Sequence, residues 1–287
     1  MAMAPTDRMM TTNDATLRVR DTGGDGLPIV LLHGSGSSID VFHRQFADPL
    51  LSHHRLVAID LPGHGLSSDA ATPDKTYTLK GMASVITEAM SSIGISRAVI
   101  FGWSLGGHVA LQMAATTSIP VALMLSGTPP VSLGPLGLLR GFQPSFDILL
   151  TSKRHFSERD VTRFAQLCFG DEFDPAFLAV IARTDGRLRV NFLRSLMHGH
   201  GADQRRLVET SEMPIALVNG VLDPFVRLSY LDTIPFANLW RDRSHLIPAT
   251  GHAAFWHAPQ LFNPLLNAFA RDAELVLRAE RLNRRRA

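Results

Sequence analysis

The stretch Val99 to His108 constrains this chain more than any other. Val99-Ile100-Phe101 is β-branched and aromatic, and Gly102-Trp103-Ser104-Leu105-Gly106 follows without a spacer. Apolar residues at helical spacing, Val109, Leu111, Met113 and Ala114, begin at once afterwards. The order is strand, tight turn, helix. In a Gly-x-Ser-x-Gly turn the glycines let strand and helix approach closely enough to hold the serine in a strained, solvent-facing conformation. Ser104 is therefore the candidate nucleophile. Its place at a helix start aims the Leu105 N–H, and the positive end of the helix dipole, at any oxyanion forming beside it.

Upstream, Thr16–Arg20 reads as an edge strand closed by the Gly23-Gly24-Asp25-Gly26 turn. Ile29–Leu32 is a continuous apolar run of the kind found in strands covered on both faces. It empties into His33-Gly34-Ser35-Gly36-Ser37-Ser38, small residues whose backbone N–H groups are not screened by side chains. The N–H of Ser35 is the expected second oxyanion donor, with Gly34 beside it facing substrate. His33, at a strand end, is expected to brace this loop. Phe42–Leu51 reads as a short helix, His54–Asp60 as a strand, and Leu61-Pro62-Gly63-His64-Gly65 as a sharp turn with a structural His64. Thr78–Ile93 carries apolar residues at three and four spacing and stops at Gly94, an amphipathic helix with a glycine cap. Val121–Ser126 is the next buried strand. This alternation requires an α/β fold with a mostly parallel sheet and helices on both faces.

After Gly127 the pattern changes to breaker-rich and helix-like, and no strand is expected before Met213. Residues 128–213 read as a helical cap inserted between two parts of the core, 16–127 and 214–277, over the strand ends where open α/β sheets bind ligands. Its phenylalanines divide between the cap's own core and a pocket for an acyl or alkyl chain. Trp103, Phe142, Phe146 and Phe164 are the expected lining.

The sheet resumes at Pro214–Gly220, and Asp223 follows the strand-ending glycine on the same sheet edge as Ser104. It is the candidate orienting acid. Of twelve histidines, His252 combines a preceding glycine, a loop after a strand and a position late in the chain, and is the candidate general base. His108 is expected to face helix neighbours, and His245 and His257 flank the loop without matching it. His198-Gly199-His200-Gly201-Ala202-Asp203 lacks the further ligands a metal shell needs, so no metal is expected. Cys168, the single cysteine, excludes an internal disulfide and reads as a small buried hydrophobe. A last helix is expected over Ala258–Leu277.

Lys and Arg number 28 against 26 Asp and Glu, a net charge of +2 with no basic stripe, which excludes a nucleic-acid partner. The terminal arginines Arg278, Arg281 and Arg284–Arg286 read as the solvated end of the last helix. The first residues lack the apolar core of a signal peptide and no run reaches membrane-spanning length, so a cytoplasmic protein without a membrane partner is expected.

These motifs resemble the α/β-hydrolase superfamily from about Thr16 to Arg271, including its order of Ser, acid and His. Within it the chain is similar to the metal-independent N-acyl-homoserine lactone hydrolases. The closer likeness rests on Asp60-Leu61-Pro62-Gly63-His64-Gly65, Phe101–His108 and Gly127-Thr128-Pro129-Pro130-Val131. It continues with Phe156–Val161 and Ala182–Arg187 in the cap, then Val218-Asn219-Gly220 and Pro224-Phe225-Val226. The resemblance implies a Ser104-His252-Asp223 triad, an acyl-enzyme, an acylated lactone or ester as small-molecule substrate, and no cofactor. Asp223 stands where that family carries Glu, Ser35 where Asn follows His-Gly, and Phe164 where a cap Tyr would offer a phenol to substrate. Other members of the fold keep open a broad carboxylesterase, a cofactor-free ring-cleaving dioxygenase and a triad-bearing hormone receptor.

Overall fold

The computed structural model describes residues 4–144 and 146–286, without the side chains of Phe146, Ile148, Leu149, Glu280, Arg281 and Arg284–Arg286. Eight strands form one sheet: β1 (Thr6–Thr11), β2 (Thr16–Asp21), β3 (Ile29–Leu32), β4 (Leu56–Ile59), β5 (Ala98–Trp103), β6 (Pro120–Ser126), β7 (Ile215–Gly220) and β8 (His245–Ile247). Their order across the sheet is β1-β2-β4-β3-β5-β6-β7-β8. Pairing is parallel from β4 through β8 and antiparallel at β1-β2 and β2-β4. Central strands β3, β4, β5 and β7 are buried at every position, because helices cover both faces.

Three expectations are corrected. Thr16–Asp21 is not the edge strand, since β1 pairs along its whole length. β1 is largely exposed and polar; the backbone ladder to β2 attaches it, Met10 packs against the core, and Asp7 adds ion pairs to Arg18 at 2.6 Å and Arg20 at 2.7 Å. Phe42–Leu51 is not one helix but a 3-10 turn (Ile39–Phe42), an α turn (His43–Phe46) and a second 3-10 turn (Pro49–Leu51). Pro49 lacks the N–H that a continuing helix needs, and Asp48 caps the new turn by accepting from the Leu50 N–H. The last helix begins at Pro259 and runs to Arg286, well past Leu277. Along its final turns Arg278 pairs with Glu274 at 2.7 Å, while the expected solvation of Arg281 and Arg284–Arg286 falls outside the described side chains.

Between β6 and β7 lie helices at Pro135–Gly141, Glu158–Phe169, Ala176–Arg183, Gly186–Met197 and Gln204–Thr210, with a 3-10 turn at Phe146–Ser152 and no strand among the described residues. Polar caps start three of them. Ser157 and Asp160 form a capping box, Asp185 accepts from the Arg187 N–H, and Asp203 accepts from the Arg206 N–H. The inserted segment is tied to the β4 exit loop. Tyr77 donates to Asp185 at 2.7 Å, Asp185 N–H donates to the Gly63 carbonyl at 2.9 Å, and Arg183 donates to the Ser67 carbonyl at 2.7 Å. Phe164, Phe169, Phe177 and Ile181 of the segment share one apolar cluster with Trp103, Phe255 and Trp256 of the core.

Candidate active site

β5 delivers Ser104 at φ 53° and ψ −118°, a conformation L-residues avoid, and the helix Leu105–Thr116 starts at the next residue. Flanking glycines make this possible. A Cβ on Gly106 would strike the Leu32 carbonyl, and one on Gly102 would strike the Gly107 backbone, so strand and helix could not close on each other. The turn is pinned from β6: Ser104 N–H donates to the Ser126 carbonyl at 2.9 Å, and the Thr128 hydroxyl lies 2.9 Å from the Ser104 carbonyl.

Asp223 follows β7 and His252 follows β8, and the two meet with His252 Nδ1 2.9 Å from Asp223 Oδ2. Asp223 Oδ1 accepts from the N–H groups of Phe225 (2.8 Å) and Val226 (3.1 Å). Both side chains are shut off from solvent, His252 at 3% and Asp223 at 0% exposure. His252 has three fixed neighbours. Trp103 Nε1 donates to the His252 carbonyl at 2.9 Å, the Phe225 ring stands 4.6 Å away edge-on, and Gly127, at φ 62°, leaves space that a Cβ would take from His252 Cε1.

The loop after β3 is braced as His33 implies. Its Nε2 accepts from the Leu61 N–H at 3.0 Å and its Nδ1 donates to the Gly34 carbonyl at 2.8 Å, which fixes one neutral tautomer. Burial lowers its pKa to about 4. Asp60 accepts from Ile39 and Leu66 N–H groups, and burial raises its carboxyl to about 6. His64 is fully buried beside His33, its ring 5.1 Å away, and burial holds it well below the usual histidine range. Gly34 abuts Ser104: a Cβ there would lie 3.1 Å from that of the serine.

Ser104, His252, Gly34, Ser35, Leu105, Trp103, Phe142 and Phe164 all open onto one cleft of about 950 Å³. Phe146, expected there too, falls outside the described side chains. Leu138, Leu139, Leu188 and Leu196 add apolar wall that was not expected. A signal existed for part of it, because Leu188, Phe192 and Leu196 recur at one face of the helix Gly186–Met197. Arg189 also reaches the wall, 3% exposed, stacked 3.9 Å over the Phe156 ring and donating to the Lys153 carbonyl at 2.7 Å.

His108 faces neighbouring helices as expected, with Nδ1 2.8 Å from Gln204 Oε1 of the inserted segment and the Phe192 ring 6.3 Å away, and it also borders the cleft. Elsewhere, His198 Nδ1 bonds the Arg194 carbonyl at 2.8 Å, and no cluster of three His, Cys, Asp or Glu residues suited to a metal occurs among the described residues. Cys168 lies buried at the cleft wall, its thiol pushed upward by burial.

A strained serine at a strand-to-helix turn, and an acid and a histidine paired beyond two later parallel strands, define a class: the chain belongs to the alpha/beta hydrolase family, whose model matches residues 29–265. A narrower likeness is to the N-acyl homoserine lactonase AidH. A variant of that enzyme complexed with N-hexanoyl homoserine superposes with a TM-score of 0.91 at 39% identity, covering 94% of this chain and 98% of that one. The pimeloyl-[acyl-carrier protein] methyl ester esterase of Pectobacterium carotovorum subsp. carotovorum (strain PC1) is 28% identical over 272 residues, 89% of this chain and 99% of that protein. The magnesium-chelatase 30 kDa subunit of Rhodobacter capsulatus is 38% identical over 103 residues only, and the match spans 35% of its length.

Proposed function

We propose that this protein is a serine hydrolase that opens the lactone ring of N-acyl-homoserine lactones and so quenches quorum signals in the cytoplasm. The observation that carries the reading is the near full-length likeness to a lactonase crystallised with ring-opened N-hexanoyl homoserine. The His252–Asp223 contact and the opening of Ser104 and His252 onto one cleft support it.

His252, its Nδ1–H held by Asp223, takes the Ser104 proton as the hydroxyl attacks the lactone carbonyl. The N–H groups of Ser35 and Leu105 receive the oxyanion, each such donor contributing about 3 kcal/mol to the transition state. Collapse breaks the ring C–O bond, and His252 returns its proton to the departing alkoxide. That alkoxide stays tethered to the acyl-enzyme and can close again, so water must attack promptly. His252 deprotonates this water, the acyl–Ser104 bond breaks as His252 returns the proton to the serine oxygen, and N-acyl-homoserine leaves. The inserted segment 128–213 acts as the cap, and Trp103, Phe142 and Phe164 hold the acyl chain.

A broad carboxylesterase is the second reading, favoured by the full-length methyl ester esterase relative. Mass spectrometry of the product from N-hexanoyl-homoserine lactone separates the two. A gain of one water in a product that closes again in acid is expected. Free homoserine lactone with hexanoate would make the protein an amidase, and an inert lactone beside rapid cleavage of simple esters would make it an esterase.

A further inference from the structure

His108 sits one helical turn after Ser104, about 6 Å along the axis of the helix Leu105–Thr116. Its side chain is 4% exposed and lies on the cleft wall. Nδ1 faces Gln204 Oε1 at 2.8 Å, so Nδ1 carries the proton and Nε2 is left as a lone-pair acceptor with no partner among the described residues. Burial lowers its pKa to about 4, the nearby His252 adding to the effect, so the ring stays neutral at pH 7. Around it the wall is apolar: the Phe142 and Phe192 rings stand 5.9 and 6.3 Å away. A ligand entering here strips water from Nε2, and only a donor on that ligand replaces the lost bond.

We propose that His108 is a substrate-binding residue whose Nε2 accepts a hydrogen bond from the amide N–H of the acylated lactone. This rests on the lactonase reading and gives it a reason to prefer N-acylated rings. In such a substrate the amide nitrogen is joined to the carbon next to the carbonyl that Ser104 attacks. A group one helical turn from the nucleophile is placed for that nitrogen, and the acyl chain beyond it runs into the apolar wall. Gln204 positions the ring by holding Nδ1.

The test compares N-hexanoyl-homoserine lactone with its N-methyl amide analogue on the wild type, His108→Leu and His108→Gln. N-methylation should lower wild-type kcat/KM about tenfold, the size of one neutral hydrogen bond. In His108→Leu the same change should cost less than twofold, and in His108→Gln, whose carbonyl oxygen can accept, most of the discrimination should return. An equal loss on N-methylation in wild type and His108→Leu overturns the assignment, since a merely structural role lowers both substrates alike. Should His108→Leu not fold, His108→Asn, too short to reach the amide, carries the same comparison. A wild type that opens neither lactone sinks the lactonase reading and this assignment with it. A wild type that opens both at equal rates keeps the lactonase reading and removes this assignment alone.

Discussion

Asp223 holds His252 with one oxygen and is itself held by the other. Oδ2 lies 2.9 Å from His252 Nδ1, while Oδ1 takes the N–H groups of Phe225 and Val226 at 2.8 and 3.1 Å. The carboxylate cannot rotate without breaking two backbone bonds, so the imidazole has a single supported orientation.

Replacing Asp223 with Asn tests this arrangement. The amide would present N–H or a neutral oxygen to Nδ1, favouring the wrong tautomer of His252. Turnover should fall by up to about 10⁴, as in comparable triads. Steady-state kinetics near wild-type level would remove Asp223 from the site.

Ser104→Ala should eliminate hydrolysis while leaving the melting temperature within a few degrees, because the change deletes one hydroxyl and no core volume. Retained turnover in purified, folded variant would show that another group attacks the substrate.

Gly106→Ala should destabilise the fold. Its Cβ would collide with the Leu32 carbonyl, a backbone atom of a fully buried strand that has nowhere to move. The expected loss is about 1–3 kcal/mol, together with activity, since the turn at Ser104 would open. Chemical denaturation measures it, and an unchanged midpoint would contradict the packing described.

Acid should weaken the fold between pH 6.5 and 4. Burial lowers His33 and His108 from 6.5 to about 4 and holds His64 well below 6.5. Across that window the unfolded chain binds protons that the folded chain refuses, so stability is present above pH 6.5 and lost as pH falls. Asp60 opposes the trend, because burial raises it from 3.8 to about 6 and the folded state gains a proton there first. Burial also lowers His54 and His245, so the lowered histidines outnumber it. Denaturation midpoints should therefore drop from pH 7 to 4.5, and His33→Gln should flatten the slope. Midpoints that rise on acidification would reverse the assignment.

The sequence by itself determined the elements whose causes are local. The spacing of Gly102 and Gly106 around Ser104 requires the turn whatever surrounds it, the apolar run Ile29–Leu32 requires cover on both faces, and Thr78 with Gly94 brackets a helix from its own ends. The positions of Asp223 and His252 were legible for a related reason: parallel strands all finish on one edge, so residues just after β7 and β8 arrive near Ser104.

Only the tertiary structure decided which surfaces face each other. The 2.9 Å contact between Asp223 and His252 joins residues 29 positions apart. The edge role passed to β1 because its backbone pairs with β2 along six residues, with Asp7 meeting Arg18 and Arg20 across the strands, a pairing that its exposed, polar pattern does not announce. The partner of His108 comes from Gln204, on a helix of the inserted segment, and not from its own helix. The direction of a side chain is set by whatever packs against it. Where that neighbour comes from a distant segment, neither periodicity nor spacing contains the answer.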